Sequence, residues 1–523
     1  MDAATPSCQP PRLALTTAVF ARVLPLLFLL LAGCAGPALR DDIQRDPPSY
    51  SAPPAEQGAL HDIATAIRRE HGETYSGFHL LDGGQAGLDW RLALIDSAVS
   101  SVDIQTYLWY PDHSGSLLLD RAIRAADRGV KVRLIVDDLL TIGLDEALVD
   151  IVAHPNIDLR IFNPWRKRGI AARGGEMVVE LRRLNIRMHD KLMVVDGQAA
   201  IIGGRNIGDH YFGLSHDYNF HDLDVLGFGA VAAQAGEFFD HFWNSEWVIS
   251  AANIDLEPDP ERGSKALDRI RADLAAVAEL ERFPRLPRDW SAELEALQPR
   301  LHAGRSLVVF DRTNGDAIDQ EVAATLLPAM SRATEELLIT NAYIIPDTPA
   351  IDFTRQMTGQ GVRVRILTNS LESHDVPAVN SHYKSWRDDF IEAGAELYEL
   401  RADAAIQSLV DVPPVSGEFV GLHTKAFVID RELVFIGSMN FDPRSIAINT
   451  EGGIYIESSG LGEALAALME RDMAPENAWR VTMDDAGDLH WTNADERVDR
   501  QPARSAWQRF MDLVFRLFPR DLY

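Results

Sequence analysis

Two stretches of the sequence place a histidine, a lysine and an aspartate at the same spacing. The first is MHDKLMVVD, from Met188 to Asp196, and the second is LHTKAFVID, from Leu422 to Asp430. In a strand, residues i and i+2 share a face, so each histidine lies beside its lysine. An imidazole can attack phosphorus or donate a proton, and an ammonium can hold a phosphate oxygen. The candidate catalytic residues are therefore His189, Lys191, His423 and Lys425.

An asparagine follows each histidine at the same distance, in G-G-R-N ending at Asn206 and in G-S-M-N ending at Asn440. The aspartates Asp196 and Asp430 are seven residues from their histidines, across an apolar strand. We therefore expect these two aspartates to have a structural role where the strand turns.

The motifs belong to a longer internal repeat. GVKVRLIV, from Gly129 to Val136, recurs as GVRVRILT at residues 361–368, and the pair Pro111-Asp112 recurs as Pro346-Asp347. The offsets are 232, 235 and 234 residues at the glycine, the Pro-Asp pair and the motif histidine. Such a constant offset indicates a tandem duplication. Strands that alternate with helical stretches predict an α/β fold in each half, with helices flanking a mixed β-sheet.

These strings resemble the phospholipase D superfamily, with its paired HKD motifs, and most closely the bacterial cardiolipin synthases of the C type. The resemblance covers about residues 60–500. It implies two halves related by a pseudo-twofold axis, with one active site at their interface. It also implies a two-step mechanism without metal or cofactor, in which one histidine attacks the phosphodiester and the other protonates the leaving alcohol. The sequence leaves open which histidine is the nucleophile.

The resemblance also implies roles for other residues. Lys191, Lys425, Asn206 and Asn440 would hold the non-bridging phosphate oxygens. Glu451 and Asp224 resemble the family's histidine-orienting acids. Glu451 follows its histidine by 28 residues and Asp224 by 35, so the first half carries an insertion at residues 208–220 and Asp222 is an alternative partner.

The charge balance bears on the substrate class. The 523-residue chain has 50 Lys+Arg against 78 Asp+Glu, a net charge of −28, which repels a polyanion at long range and disfavours a nuclease. We expect phospholipid substrates and no nucleic-acid partner. A basic stretch from residues 166 to 187 precedes the first motif, and either an anionic-headgroup site or a solvated surface loop explains it.

The N-terminus has the pattern of an exported lipoprotein. Arg12 and Arg22 precede a short apolar run at residues 23–31, and L-A-G-C ends at Cys34. This ending resembles a lipobox, which predicts a signal peptide at residues 1–33, lipidation of Cys34 and a periplasm-facing anchor in the cell envelope. An ordinary signal peptide or an uncleaved anchor is the alternative. Ala35 after the cysteine resembles lipoproteins sent to the outer membrane.

Composition and repeats predict the remaining boundaries. A Pro- and Ser-rich flexible tether covers residues 34–59, the two halves cover 60–255 and 305–500, and a helical connector covers 256–304. Residues 501–523 have apolar positions at helical spacing with arginines nearby. This amphipathic helix either lies in a membrane interface or docks on the protein's own core, and we favour docking.

The resulting functional prediction is a phosphatidyltransferase that makes cardiolipin from phosphatidylglycerol and a second phospholipid through a phosphohistidine. A phospholipase D hydrolase that releases phosphatidic acid is the alternative, because water can replace the acceptor alcohol. A nuclease or an inactive lipid-binding lipoprotein is disfavoured by the charge and by the intact motifs. The acceptor, the acyl preference and the oligomeric state are not encoded in any pattern of the sequence.

Overall fold

The computed structural model describes residues 43–138, 150, 153–165, 176, 180–254, 259–315 and 317–518, without the side chains of 181 and 182. The predicted signal peptide and Cys34 lie outside the described residues. Most of the basic stretch at residues 166–187 also lies outside the described residues, and this part includes Arg166, Lys167, Arg168 and Arg173.

Strands and helices alternate through both halves, as the sequence predicts. The first-half strands are Tyr75–Leu81 (β1), Ser101–Thr106 (β2), Lys131–Asp137 (β3), Ile157–Phe162 (β4), Lys191–Val195 (β5), Ala199–Gly203 (β6), Asn219–His221 (β7), Asp224–Gly229 (β8) and Val248–Ser250 (β9). The later strands are His302–Phe310 (β10), Arg312–Asn314 (β11), Ala317–Asp319 (β12), Glu336–Asn341 (β13), Arg363–Asn369 (β14), Glu396–Leu400 (β15), Val420–Leu422 (β16), Lys425–Ile429 (β17), Leu433–Gly437 (β18), Gly452–Glu457 (β19), Ala478–Met483 (β20), Leu489–Thr492 (β21) and Arg497–Val498 (β22). The helices are Ala59–His71, Gly84–Ser97, His113–Asp127, Leu181–Asn185, Asp209–Phe212, Ala230–Trp243, Pro260–Ala276, Ser291–Leu297, Glu321–Met330, Thr348–Gly359, Pro377–Tyr383, Arg387–Glu392, Gln407–Val410, Pro443–Ala447, Ser459–Asp472 and Ala506–Phe515.

Within the described residues, 18 strands form one mixed sheet that runs through both halves. Its order is β9-β4-β3-β2-β5-β6-β8-β1 and then β10-β19-β18-β17-β13-β14-β15-β20-β21-β22. The halves meet where β1 pairs antiparallel with β10. Read outward from that pair, corresponding strands follow in the same order with the same directions. The predicted fold of two related α/β halves is confirmed.

The repeated sequence signals occupy equivalent turns. Asp112 and Asp347 each cap a helix, and each side chain accepts a hydrogen bond at 3.0 Å from the backbone N–H three residues later. Gly129 and Gly361 follow those helices with φ of +96° and +91°, a conformation that glycine adopts without strain. The duplicated turns thus bring β3 and β14 back beside β2 and β13.

A shared core joins the halves behind the central strands. The helices Ala230–Trp243 and Ser459–Asp472 pack on the sheet, and their buried side chains include Phe238, Phe242 and Leu465. Residues of β5, β6, β17 and β18 belong to the same hydrophobic cluster. The two motif strands are therefore anchored in one common interior.

The described part of the segment predicted as a flexible tether lies against the first half. Backbone N–H groups of Ser49 and Ser51 donate to Asn244 and Asp240, and Ala55 donates to the Asp196 carbonyl at 2.8 Å. The prediction of a free tether is wrong for these residues, because the body supplies hydrogen-bond partners for their backbone.

The C-terminal helix Ala506–Phe515 packs in the opposite orientation to the favoured prediction. Its polar residues Gln508 and Asp512 are buried, whereas Trp507 and Phe510 are 67% and 51% exposed, and Leu517, just after the helix, is 85% exposed. The helix does dock on the second half, but its buried contacts are polar, and Met511 and Val514 are only half-buried. None of the helices in the described ranges is both long and apolar enough to cross a membrane.

Candidate active site

The two histidine–lysine pairs lie at equivalent points of the sheet, at the starts of β5 and β17. His189, Lys191, His423 and Lys425 are all buried. The ammonium of Lys191 donates to the His189 carbonyl at 2.5 Å, and Lys425 makes the same bond to His423. Each lysine ammonium is thus held at the backbone of its own histidine.

Each histidine is hydrogen-bonded to an acid from the opposite half. His189 Nδ1 is 2.9 Å from Glu451 Oε2, and His423 Nδ1 is 2.5 Å from Asp222 Oδ2. An Nδ1–H that donates to a carboxylate leaves Nε2 as the free nitrogen for chemistry. The cross-half exchange means that neither half contains a complete histidine–acid pair.

Short parallel backbone pairings carry the acids across the interface. His189 N–H donates to the Thr450 carbonyl at 2.9 Å, one residue before Glu451. In the other direction, His423 N–H donates to the His221 carbonyl at 2.8 Å, one residue before Asp222, and β7 pairs parallel with β16. Backbone hydrogen bonds therefore fix both acids relative to the histidines.

The structure corrects the prediction that Asp224 orients a histidine. Its carboxylate instead accepts from Arg91 at 3.0 Å and from Arg205 at 3.1 Å, in fully buried ion pairs. Gly203 pairs with Asp224 in the first half, and Gly437 pairs with Gly453 in the second. Sheet register thus makes Asp224 equivalent to Gly453, and makes Asp222, the alternative, equivalent to Glu451.

The residue after each of those glycines supports the neighbouring acid differently. A Cβ on Gly204 would lie 2.3 Å from Asp222 Oδ1, so only glycine leaves room for that carboxylate. In the second half Ser438 occupies this position, and its hydroxyl donates to Glu451 Oε2 at 2.5 Å. The difference between G-G-R-N and G-S-M-N in the sequence therefore reflects two ways of holding an acid.

The motif aspartates lie away from the histidines and fix turns. Asp196 accepts from three consecutive backbone N–H groups, at residues 99–101, and Asp430 from those at 334–336. Both aspartates have positive φ, near +50°. Each carboxylate ties the end of a motif strand to the start of its neighbour, β2 or β13.

The two asparagines differ in their contacts. Asn206 donates to the Tyr211 hydroxyl at 2.8 Å and accepts from Leu108 N–H at 3.3 Å. Asn440 is buried, and within the described residues its Oδ1 has no hydrogen-bond partner. An unpaired buried amide oxygen can accept a hydrogen bond from a ligand hydroxyl or N–H group.

Aromatic walls of the site were missed by the sequence analysis. Tyr107 lies edge-on to His189 with ring centroids 5.0 Å apart, and Tyr343 is similarly placed at 6.3 Å from His423. Lys191 and Lys425 lie 5.4 and 5.6 Å from these two tyrosine rings. Both tyrosines occupy corresponding positions of the internal sequence repeat, and this correspondence could have identified them as site residues.

Burial is the largest cause of the pKa shifts of the basic groups in the site. It lowers the pKa of Lys191 to about 7 and that of Lys425 to about 8. Burial and the adjacent Lys425 lower the pKa of His423 to about 4. Burial, with Lys191, Lys425 and His423 nearby, holds the pKa of His189 well below its ordinary value. A bound phosphate anion would favour the charged form of all four groups.

The two acids differ in charge. Burial raises the pKa of Asp222, but the charges of His423 and Lys425 outweigh it, so the net pKa is below its ordinary value. Burial instead raises the pKa of Glu451 well above its ordinary value, and Asp190 nearby adds to this. The pKa of Asp190 is itself raised to about 7 by burial. The surroundings of Asp222 therefore favour its ionised form, and those of Glu451 favour its neutral form.

Paired histidine–lysine strands on a pseudo-twofold seam define a phospholipase D-like fold with one composite site. A solved structure of phosphatidylserine synthase from Haemophilus influenzae is similar over 80% of this chain and 91% of its own, with a TM-score of 0.54 and 12% identity. The profile of the family described as "Cardiolipin synthase, PLD-like domain" matches residues 92–243 and 326–473. The chain belongs to this family of cardiolipin synthases with phospholipase D-like domains.

Curated relatives agree with this assignment. Cardiolipin synthase C of Escherichia coli is 33% identical over 82% of this chain and 92% of its own length. A cardiolipin synthase A of Pseudomonas putida is 24% identical over 79% of this chain and 70% of its own. The similarity therefore spans both halves rather than one motif.

Proposed function

We propose that this chain is a phosphatidyltransferase that forms cardiolipin from phosphatidylglycerol and a second phospholipid. The observation that carries the proposal is the pair of buried histidines, each with a lysine beside it and an acid on its Nδ1. Similarity to cardiolipin synthases over most of the chain supports the choice of substrate.

The chemistry proceeds in two displacements. In the first, Nε2 of one histidine attacks phosphorus, a P–N bond forms, and the P–O bond to the head-group alcohol breaks. The other histidine gives its proton to the departing alkoxide. In the second, that histidine takes the proton of the acceptor hydroxyl, the acceptor oxygen bonds to phosphorus, and the P–N bond breaks. His189 and His423 are the two candidates for these roles.

The surrounding residues stabilise charge and geometry. Lys191 and Lys425 bind the non-bridging oxygens, whose negative charge grows in each transition state, and the family resemblance assigns the Asn440 amide N–H groups to the same oxygens. Asn206 has the equivalent position in the other half. Glu451 and Asp222 hold the imidazoles in the tautomer that presents Nε2.

Product analysis tests the proposal. The purified protein is incubated with phosphatidylglycerol, alone and with phosphatidylethanolamine, and lipids and water-soluble products are quantified. We expect cardiolipin and one released head-group alcohol per turnover, and no product from His189→Ala or His423→Ala. Phosphatidic acid as the lone lipid product would instead establish the hydrolase alternative.

We also propose that the protein is held at the cell envelope by lipidation of Cys34, facing the periplasm. The L-A-G-C sequence supports this placement, and the family's phospholipid substrates agree with a membrane location. Labelling with a palmitate analogue should mark the parent protein and not Cys34→Ser. Separation of inner and outer membranes then tests the outer-membrane prediction from Ala35, and an unlabelled parent protein would refute the anchor.

A further inference from the structure

An apolar cavity of about 410 Å³ lies in the second half, between the sheet and the helices Glu321–Met330 and Thr348–Gly359. Leu337 and Val364, from β13 and β14, form part of its floor. Leu327 and Ile446 line it and are 44% and 45% exposed, although most large apolar side chains of this protein are buried. The cavity therefore opens through an apolar rim.

The cavity and the phosphate site share a wall. Met439 and Phe441 line the cavity, and Asn440 lies between them. Ile344 also lines it and directly follows Tyr343, whose ring is 5.6 Å from Lys425 Nζ. Ile344 and Phe441 are joined by a parallel backbone bridge, which holds the two segments side by side. A molecule with a phosphate at Lys425 thus has an apolar volume directly beside it.

The first half has different side chains at the corresponding backbone bridge. By the same bridge pattern, Trp109 pairs with Ile207 as Ile344 pairs with Phe441. The indole of Trp109 packs on the first-half core and donates to the Gly115 carbonyl at 3.0 Å. Trp109 of the first half thus stands where the second half has Ile344, and Ile207 stands where it has Phe441. Ile344 and Phe441 both line the cavity.

We propose that this cavity receives one hydrocarbon chain of the phospholipid substrate, an inference that rests on the proposed function. A volume of about 410 Å³ equals that of about a dozen water molecules in the liquid, at roughly 30 Å³ each, which leaves room for a substantial part of a hydrocarbon chain. Burial of the chain there removes apolar surface from water, and the phosphate remains at the lysines.

Adjacent alanines on one helix provide a matched test. Ala323 lines the cavity, whereas Ala324 is exposed and does not. Transfer is measured in detergent micelles with dihexanoyl and dioleoyl phosphatidylglycerol. We expect Ala323→Trp to lower kcat/KM at least tenfold for the long-chain lipid and less than twofold for the short-chain lipid. Ala324→Trp should change neither, and thermal melting monitors folding in both variants.

Two outcomes separate failure of the cavity from failure of the proposed function. Equal effects of Ala323→Trp on both chain lengths would refute the acyl site while transfer itself persists. If the parent protein transfers neither lipid, the proposed function fails, and binding of hexadecylphosphocholine decides the cavity. Ala323→Trp should then weaken that binding at least fivefold relative to Ala324→Trp, and equal binding would refute the site.

A second inference comes independently from the inverted C-terminal helix. Asp512 accepts from Asn380 at 2.7 Å and pairs with Lys384, and Gln508 donates to the Leu371 carbonyl at 2.5 Å. These bonds hold the polar face inward. The outward face carries Trp507, Phe510, Leu513, Leu517 and Phe518, all exposed. An apolar patch of this kind on a polar-anchored helix marks an interaction surface.

The helix is attached to the rim of the candidate active site. Arg504, just before it, lies 3.5 Å above the ring of Phe419, which stacks on Tyr218. Tyr218 contacts Phe220, whose ring lies 5.0 Å from that of His423. A continuous series of side chains thus connects the base of the apolar face to a catalytic candidate.

We infer that this face lies in the interface of the lipid bilayer that supplies the substrate. Tryptophan and phenylalanine with flanking arginines, here Arg509 and Arg516, suit the boundary between head groups and acyl chains. The choice of a lipid bilayer rather than a protein partner rests on the proposed phospholipid substrate. The rest of the inference does not depend on that substrate.

Quenching by brominated lipid tests the placement. The lipid-anchored protein is reconstituted in phosphatidylglycerol and phosphatidylethanolamine vesicles with bromine on the acyl chains. Bromine should quench the parent fluorescence, and Trp507→Phe should remove most of that quenching. Trp290→Phe, at a buried tryptophan of the connector, should leave it unchanged. Quenching that survives in Trp507→Phe would refute the bilayer contact of this face and would favour its coverage by another copy of the chain, whether or not transfer is observed.

Discussion

Substitution of Asp222 by asparagine tests the cross-half pairing of acid and histidine. Asparagine has the same shape as aspartate but lacks the negative charge of the carboxylate that accepts a hydrogen bond from His423 Nδ1. A hydrogen bond to a charged group contributes about 1.5–3 kcal/mol. At about 1.4 kcal/mol per factor of ten, its loss should lower kcat about ten- to a hundredfold. The assay is cardiolipin formation per folded molecule, and thermal melting quantifies the folded fraction.

Asp224→Asn is the matched control, two residues away. Asp224 pairs with buried Arg91 and Arg205 and contacts neither histidine. Its substitution leaves two buried guanidinium groups without their acid, which costs about 3–5 kcal/mol of folding free energy. We therefore expect a lower melting temperature and an unchanged kcat for the folded fraction. A variant pair with the reverse pattern, in which Asp224→Asn loses turnover and Asp222→Asn does not, would refute the reasoning.

Two other predictions follow from the same site. In Asp196→Asn the new residue still tolerates positive φ, but its side chain forms weaker hydrogen bonds with the three backbone N–H groups. We therefore expect the free energy of unfolding to fall by about 1–2 kcal/mol and kcat to stay within twofold. A larger fall in kcat than in stability would contradict the structural role. Because burial lowers the pKa of Lys191 to about 7, the free enzyme loses that proton as pH rises, and KM for an anionic lipid should rise between pH 7 and 9. Lys191→Arg keeps its charge over this range, so its KM should depend less on pH, and an equal dependence would exclude Lys191 as the titrating group.

The duplicated motifs predicted the centre of the site and its architecture. The spacing of His189 and Lys191 follows from the two-residue period of a strand, which no tertiary contact alters. The repeated Pro-Asp pair and glycine encode a helix start and a helix end, and both are local events. For this reason the two halves, their order and the paired catalytic strands were accessible from the sequence.

The acid partners depend on contacts that no local pattern encodes. His423 and Asp222 are 201 residues apart, and His189 and Glu451 are 262 apart. Asp222 and Asp224 are two residues apart, just before and at the start of β8, so counting from the histidine could not separate them across an insertion. The register of β6 on β8 decides between them. The C-terminal helix shows the same limit, since its hydrophobic pattern identified an amphipathic helix but not which face meets the protein.

The exchange of acids between the halves constrains how this protein can change over evolutionary time. A duplicated gene ordinarily lets one copy drift while the other keeps its task. Here a substitution near Glu451 alters the histidine of the other repeat, and a substitution near Asp222 does the same in return. The continuous sheet through β1 and β10 adds a mechanical link between them. Neither repeat can therefore be recombined freely with a foreign partner, and divergence must proceed by compensating pairs of substitutions on opposite sides of the seam.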